Sequence, residues 1–545
     1  MTVSEYFAQL LKSSMGDTVL DTVHVLSSAI EFKLKELATT VVIKGDGASS
    51  LLVIVTIIVL TSSALWWGWI FLSWRENTKI AGARGAGALP LPPGSFGLLP
   101  VLGGDTLSYL DAYQNFNIKR YVDQKVARYG PIFKTSIMGQ PTIVLDSPAG
   151  NKLLFHEDEK LVQGWWPKNL KALVNYNGLS ETNGEAHRVF RQHITSNFLG
   201  VDVVHRYFQT MERRAKAEIE PWTELKVGSE LTIPTVDVLK NYSFRLICEL
   251  SISLKDVREV EQLRHKFDMW SEGFMAVPVN FPGTSFNRAL RARDVMADEM
   301  GKKIKQRRKE LKEGLASETQ DFLSVMLTHP DETGHIVEDK ILVHTLLLLL
   351  WTASDTTAST LAMVLRETSR NPHVYRELMK EHASITRGKK DGEMLTTENL
   401  RSMKYTWRVV QETLRLYPIL LGLFREAKTD FEYQGYTIPK GYKLLVTSAP
   451  LLDPKFYKDP KTFDPSRFEK VGGGAPAFTY FPFGGGHRMC PGNEFAKASI
   501  IIFVHQFLKH FKWTLVHPDE KIRYSFLATP EHGLPMKLTK IKPAF

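Results

Sequence analysis

FPFGGGHRMCPGNEFAKASIIIFVHQFL, Phe481–Leu508, sets one cysteine in a glycine-rich loop that runs straight into a long apolar helix. Gly484, Gly485, Gly486 and Gly492 predict tight turns and a close approach of backbone to a neighbouring group. Cys490, just ahead of the helix, is predicted to feel its N-terminal dipole, which favours thiolate. Zinc needs three or four ligands and only His487 is nearby, so an iron whose other ligands come from a porphyrin is the economical choice. Arg488 then becomes the cation for a carboxylate at the cofactor edge.

Outward from this loop, the 545 residues carry a net charge of +10, 43% hydrophobic and 11% aromatic residues, the composition of a globular chain with a large core. Two cysteines, Cys248 and Cys490, exclude a disulfide framework and a cysteine-rich zinc site. The Lys and Arg excess is spread without a dense tract, so nucleic acid is not an expected partner. Residues 51–74, LLVIVTIIVLTSSALWWGWIFLSW, hold no formal charge and are long enough to span a bilayer, with Trp66, Trp67, Trp69 and Trp74 gathered at one end and Arg75, Lys79 and Arg84 following. Residues 1–50 net −2 and the remainder +12, which puts 1–50 on the lumenal side and the long C-terminal part in the cytosol. A basic, Gly- and Pro-rich linker occupies 75–100, and the catalytic domain is expected over 89–545. Helical periodicity dominates from Tyr121 to about Met403, with strand-like runs at 132–138, 141–146 and after Phe431, which predicts a mainly α (α+β) domain with small β-sheets.

Three further segments bear on the chemistry. In VVQETLRLYP, Glu412 and Arg415 share one helix face, and FDPSRF adds Arg467. LLLLLWTASDTTAST, 346–360, is an apolar helix broken by a polar cluster, in which Asp355 is costly without a partner or a task. Thr356 is expected to bond back to the carbonyl of Thr352 and open the helix there. In NGEAHRVFRQH, His187 and Arg191 stand four apart on a helix, and LGLFREA contributes Arg425.

Together these segments resemble, in order, the signature regions of the cytochrome P-450 superfamily of haem-thiolate monooxygenases, from about Pro90 to the C-terminus. The pattern Phe483-x-x-Gly486-x-Arg488-x-Cys490-x-Gly492 fills every defining position of its haem signature. The resemblance implies the P-450 fold around a buried haem (heme b), with Cys490 as axial thiolate and Arg488, His187, Arg191 and Arg425 at the propionates. It implies Asp355 and Thr356 as the acid-alcohol pair that relays protons to O2, and Glu412, Arg415 and Arg467 as a structural network. Thr352 and Ala353 depart from the small residues usual there. The chain has no flavin or nicotinamide fingerprint, so NADPH electrons are expected through a separate NADPH-cytochrome P-450 reductase. A monomer in the endoplasmic reticulum membrane is implied. SPAGNKLLFHEDEKLVQGWWP, FPGTSFNRALRARD and MKYTWRVVQETLRLYP look like the plant branch of triterpene, taxane-type and sterol oxidases, so a hydrophobic terpenoid or sterol-like substrate is expected. Candidate pocket residues are Trp165, Trp166, Leu348, Trp351, Leu420, Leu421, Leu423 and Phe526, and residues 274–286 are expected to dip into lipid. The alternatives are a haem-thiolate isomerase or dehydratase, and a non-enzymatic haem carrier.

Overall fold

The computed structural model describes residues 89–96, 105–157, 159–174, 182–387, 393–469 and 475–543. The chain divides after Gly82 into two units, and all described residues belong to the second, Ala83–Phe545. The expected lumenal extension 1–50, the membrane span 51–74 and most of the linker 75–100 lie outside the described residues.

The helices of nine residues or more are α1 (Asp105–Gln114), α2 (Ile118–Tyr129), α3 (Pro148–His156), α4 (Gly184–Ile194), α5 (Phe208–Thr223), α6 (Thr235–Ile252), α7 (Val257–Ser271), α8 (Ser285–Lys312), α9 (Asp339–Arg370), α10 (Pro372–Thr386), α11 (Lys404–Leu416) and α12 (Asn493–His510). A five-stranded sheet has the order β1-β2-β8-β5-β3, built from β1 (Ile132–Ile137), β2 (Gln140–Leu145), β3 (Val162–Gly164), β5 (Gly422–Ala427) and β8 (Lys443–Thr447). A second sheet joins β4 (Glu230–Pro234), β12 (Pro535–Lys540) and β9 (Phe511–Leu515), and two-stranded ribbons pair β6 (Phe431–Tyr433) with β7 (Tyr436–Ile438) and β10 (Ile522–Ser525) with β11 (Leu527–Pro530).

Local chemistry accounts for the pieces nearest the cysteine. Met138 and Gly139 both take positive φ, 52° and 71°, and so close the β1–β2 hairpin in the turn that suits strand twist. Ser147 then starts α3 by accepting the Gly150 N–H at 3.0 Å, with Pro148 at the first helical position. Helix α12 is mostly apolar and buried all round from Ala498 to Leu508, with His505 and Gln506 bonded to His382 and Glu212 inside the core, and is packed by α5 and α9. Helix α9 is likewise central and packs most extensively on α6.

The expected mainly helical domain with small sheets is present. Strands β1, β2 and those after Phe431 fall where strand-like runs were expected, whereas β3, β4 and β5 were not foreseen, because they are short and lack clean alternation.

Candidate functional site

The cysteine loop is shaped by its own backbone. The Gly484 N–H bonds Phe481 O at 2.9 Å, the Cys490 N–H bonds Phe483 O at 2.8 Å, and the Met489 N–H bonds Gly486 O at 3.1 Å. Gly486 has φ +66°, and a Cβ there would lie 2.0 Å from the carbonyl oxygen of Phe155 on α3. A side chain at 486 is therefore excluded twice, by conformation and by contact. Gly492 differs from the expectation. Its φ is −90° and a Cβ would meet Cys490 Sγ at 3.9 Å, an ordinary contact, so neither turn nor close approach demands glycine. Its backbone N–H instead bonds the Cys490 sulfur.

Burial pushes the Cys490 thiol up, and the Gly492 N–H and Arg191 oppose that shift without reversing it. Desolvation is the larger of these effects on the protein's own groups. Cys248 is inert by comparison, buried with its thiol pushed up to about 12.

Cationic side chains converge beside this loop from distant parts of the chain. Arg191 and His187 come from α4, and both feel the charge of Arg488. Burial, then Arg488 and Arg191, pull His187 down to about 4, so it stands as a neutral imidazole donor and not as a further cation. Arg425, on β5, is paired in register with Gly164 on β3, and the guanidinium of Arg488 lies against that same glycine, 2.8 Å from where a Cβ would be. Arg488 Nη2 donates to Glu159 Oε1 at 2.6 Å, to Asn183 Oδ1 at 2.6 Å and to Thr182 O at 3.0 Å. Burial raises the Glu159 carboxyl, but the bonds from Arg488 and from the Gly184 N–H outweigh it and hold the group below the usual range. Glu159, Asn183 and Gly164 were not picked out from sequence. The run His156–Lys160 reads as a solvated charged turn, and only strand pairing brings Gly164 to Arg425.

Glu412 is fully buried and accepts four bonds: Arg415 Nε at 2.7 Å, Arg415 Nη2 at 2.8 Å, Arg467 Nε at 3.2 Å and the Asp464 N–H at 3.0 Å. The structure thus brings together the three residues that the sequence grouped.

On α9, Leu348, Leu349, Thr352, Ala353 and Thr356 keep accessible surface while Leu346, Leu347, Leu350, Ser354 and Thr357 are buried. Leu348, Thr352 and Thr356, four apart, with Leu349 and Ala353 beside them, form an accessible stripe on this central helix, and Asp355 is part-accessible next to it. Thr356 Oγ1 donates to Thr352 O at 2.6 Å, Thr352 Oγ1 to Leu348 O at 2.8 Å and Thr360 Oγ1 to Thr356 O at 2.9 Å. The expected back-bond is present, but α9 runs unbroken from Asp339 to Arg370, because each donated hydroxyl adds to a carbonyl already in the helical ladder. Asp355 turns away from Thr356 toward α7, where Ser271 Oγ donates to its Oδ2 at 3.4 Å, and its buried Oδ1 has no hydrogen-bond partner. Burial raises the Asp355 carboxyl, opposed by Lys240 and Arg264.

Of the pocket candidates, Leu348, Leu420 and Leu423 keep accessible surface, and Leu423 Cδ1 approaches Gly484. Leu421 keeps none. It is 0% exposed and belongs to a cluster with Tyr109, Phe133 and Tyr524. Trp351 is stacked on Phe274, ring centroids 4.2 Å apart, with Phe526 at 5.2 Å. Trp165 packs edge-on to Phe424 and lies under Lys443 Nζ, so its faces are largely taken by the sheet. Within 274–286 the ends, Phe274 and Phe286, are buried, while Val277, Val279 and Phe281 are exposed at 74%, 51% and 67%.

Among the described residues, no group of three or more His, Cys, Asp or Glu is placed to hold a metal ion. Cys490 therefore offers a single sulfur, beside half-buried guanidinium groups suited to carboxylates. That donor set fits a metal carried by an anionic macrocycle.

A family model described as Cytochrome P450 matches residues 96–541. The chain is 38% identical over 455 residues to a taxane 13-alpha-hydroxylase of Taxus cuspidata, covering 83% of this chain and 92% of that protein. It is 37% identical over 452 residues to a beta-amyrin 28-monooxygenase of Kalopanax septemlobus, again 83% and 92%. Among solved structures, a retinoic acid bound cyanobacterial CYP120A1 superposes with a TM-score of 0.73 at 28% identity, over 83% of this chain and 100% of that one.

Proposed function

The chain belongs to the cytochrome P450 family and is an oxidoreductase, and from that premise we propose that it is a membrane-anchored monooxygenase inserting one atom of O2 into a C–H bond of a bulky terpenoid. Electrons come from NADPH through a separate membrane-bound flavoprotein reductase. The observation that carries this reading is the single cysteine in its glycine loop, beside a group of half-buried guanidinium side chains. Haem bound there supplies the activation of dioxygen. The residues that would hold it are Cys490 through sulfur, with Arg488, Arg191, Arg425 and the neutral His187 toward its carboxylates. Phe483 and Gly486 shape the loop, and the Gly492 N–H eases negative charge on the sulfur.

The proton work falls to α9. Burial raises the Asp355 carboxyl, and its buried Oδ1, which has no hydrogen-bond partner, is the atom through which the acid would pass a proton. Thr356 commits its own proton to the Thr352 carbonyl, so its oxygen is free to accept and to fix a water on the accessible stripe. A small rotation of Asp355 away from Ser271 links the two. Leu348 and Leu423 form apolar wall suited to a hydrocarbon skeleton, in keeping with the taxane and beta-amyrin relatives.

Residues 51–74 anchor the protein in the endoplasmic reticulum membrane with the catalytic domain in the cytosol. Exposed Val277, Val279 and Phe281 rest in the lipid surface. A lipid-quenched probe at Val279 reports quenching if so, and its absence removes the contact. The central test is the carbon monoxide difference spectrum of reduced, membrane-expressed protein. A band at ~450 nm that is lost in Cys490→Ser supports a haem-thiolate. A band at ~420 nm in fresh folded protein, or none, overturns the reading.

A further inference from the structure

Glu159 has more bonds than a turn residue needs. It holds φ +73°, its N–H bonds Val162 O at 2.8 Å, and its carbonyl accepts from Lys428 Nζ at 2.6 Å, so the backbone is fixed on both sides. Its carboxylate then reaches two separate elements. Oε2 accepts the Gly184 N–H at 2.7 Å, the first residue of α4, and Oε1 accepts Arg488 Nη2 at 2.6 Å.

The capping pattern of α4 shows why this is unusual. Asn183 occupies the N-cap position but makes no side-chain cap, because its Oδ1 is taken by Arg488 Nη2 and by the Gly164 N–H at 3.2 Å. The free N-terminal donor of the helix is served from outside, by Glu159. One carboxylate thus fixes both the start of the helix that carries His187 and Arg191 and the guanidinium that precedes Cys490. A guanidinium is a planar fork, and bonds at Nη2 to three acceptors set the plane and the direction of its remaining edge. Gly164 completes the seat, since any side chain there would collide with that plane.

We propose that Glu159 is a positioning residue for cofactor retention: it clamps Arg488 by one edge and α4 by its first N–H, so that the remaining guanidinium edge and the α4 side chains meet the carboxylates of the bound macrocycle in one rigid arrangement. The inference rests on the haem reading above. It assigns Glu159 an assisting part, in which the carboxylate orients the cation and does not compete with the cofactor for it.

The experiment follows haem loss from full-length ferric holoenzyme in detergent to excess apomyoglobin, with far-ultraviolet circular dichroism melting recorded in parallel. If the wild-type protein carries no haem, the functional reading fails and not this inference. Given a haem-loaded wild type, Glu159→Gln, which keeps the shape and removes the charge, is expected to lose haem about tenfold faster with its melting transition in place. Glu159→Asp is expected to fall between the two. In an Arg488→Lys background, where no planar fork remains to orient, Glu159→Gln is expected to add little. A haem-loss rate in Glu159→Gln that is unchanged or slower overturns the proposal. So does a full tenfold effect that persists in the Arg488→Lys background.

Discussion

Glu412 sits at the junction of α11 with the segment that leads to the cysteine loop, and its replacement by Ala leaves a buried guanidinium without its carboxylate. Arg415 is fully buried, so without Glu412 its guanidinium keeps no anionic partner in this hub, only Leu451 O at 2.8 Å, Thr462 O at 3.4 Å and the Tyr457 ring, 5.2 Å to the centroid. An uncompensated buried charge of this kind costs about 3–5 kcal/mol. Arg467 is different. Its side chain is 14% exposed, it contributes one bond of 3.2 Å to Glu412, and Glu412 keeps three other donors when it is removed. Arg467→Ala should therefore cost about 1–2 kcal/mol, since the bond to Glu412 and those to Asp459 O at 2.9 Å and Thr462 O at 3.4 Å are made by a part-exposed side chain and are partly replaced by water. The assay is urea unfolding of the full-length protein, followed by circular dichroism and by the Soret band. In Glu412→Ala the Soret transition should also separate from the helix transition, because Arg467 and the Asp464 N–H, in the segment that leads to the cysteine loop, lose their anchor on α11. Equal losses from Glu412→Ala and Arg467→Ala would refute the reasoning, since the argument turns on the difference in burial of the charge left behind.

Other perturbations separate chemistry from architecture. Thr356→Ala removes a hydroxyl that bonds only back to its own helix, so thermal stability should hold while NADPH oxidation uncouples from product and releases peroxide; an unchanged coupling ratio counts against the proton role. Gly486→Ala should abolish haem retention, whereas Gly492→Ala should retain it, because a Cβ meets Phe155 O at 2.0 Å in the first case and Sγ at 3.9 Å in the second; haem content per folded protein reads both. Asp146 is raised from 3.8 to about 6, chiefly by burial, so the folded state binds its proton more tightly and stability falls as pH rises between those values. Asp146→Asn should then gain up to ~3 kcal/mol at neutral pH and nothing near pH ~4, as melting temperatures across that range would report; a gain independent of pH would exclude the titration.

The legible parts of the sequence were those where residue type alone is costly or rare in its setting. A cysteine among glycines, an acid inside an apolar run and a Glu-x-x-Arg pair each restrict their possible partners before any fold is known. What stayed hidden depends on which strands pair. Gly164 acquires its meaning only when β3 lies beside β5, and Glu159 only when its turn is folded over α4. Apolar residues were ambiguous for a related reason: Leu421 and Leu423 are two apart, yet one is sealed in the core and the other retains accessible surface. Residue type sets the preference for burial, and packing decides which side of the wall is reached.

The position of α12 in the chain has a consequence for biosynthesis. This helix is buried on every side from Ala498 to Leu508, yet it is the last long helix to leave the ribosome, after more than four hundred residues of the domain it completes. Until then α5 and α9 present apolar faces with nothing between them, so the nascent domain cannot close vectorially from its N-terminus. Cys490 emerges with the same segment, which makes cofactor capture and final core closure nearly simultaneous events. Truncations that stop short of residue 510 should therefore be recognised as unfinished by chaperones and proteases along their whole length, not merely deprived of a site.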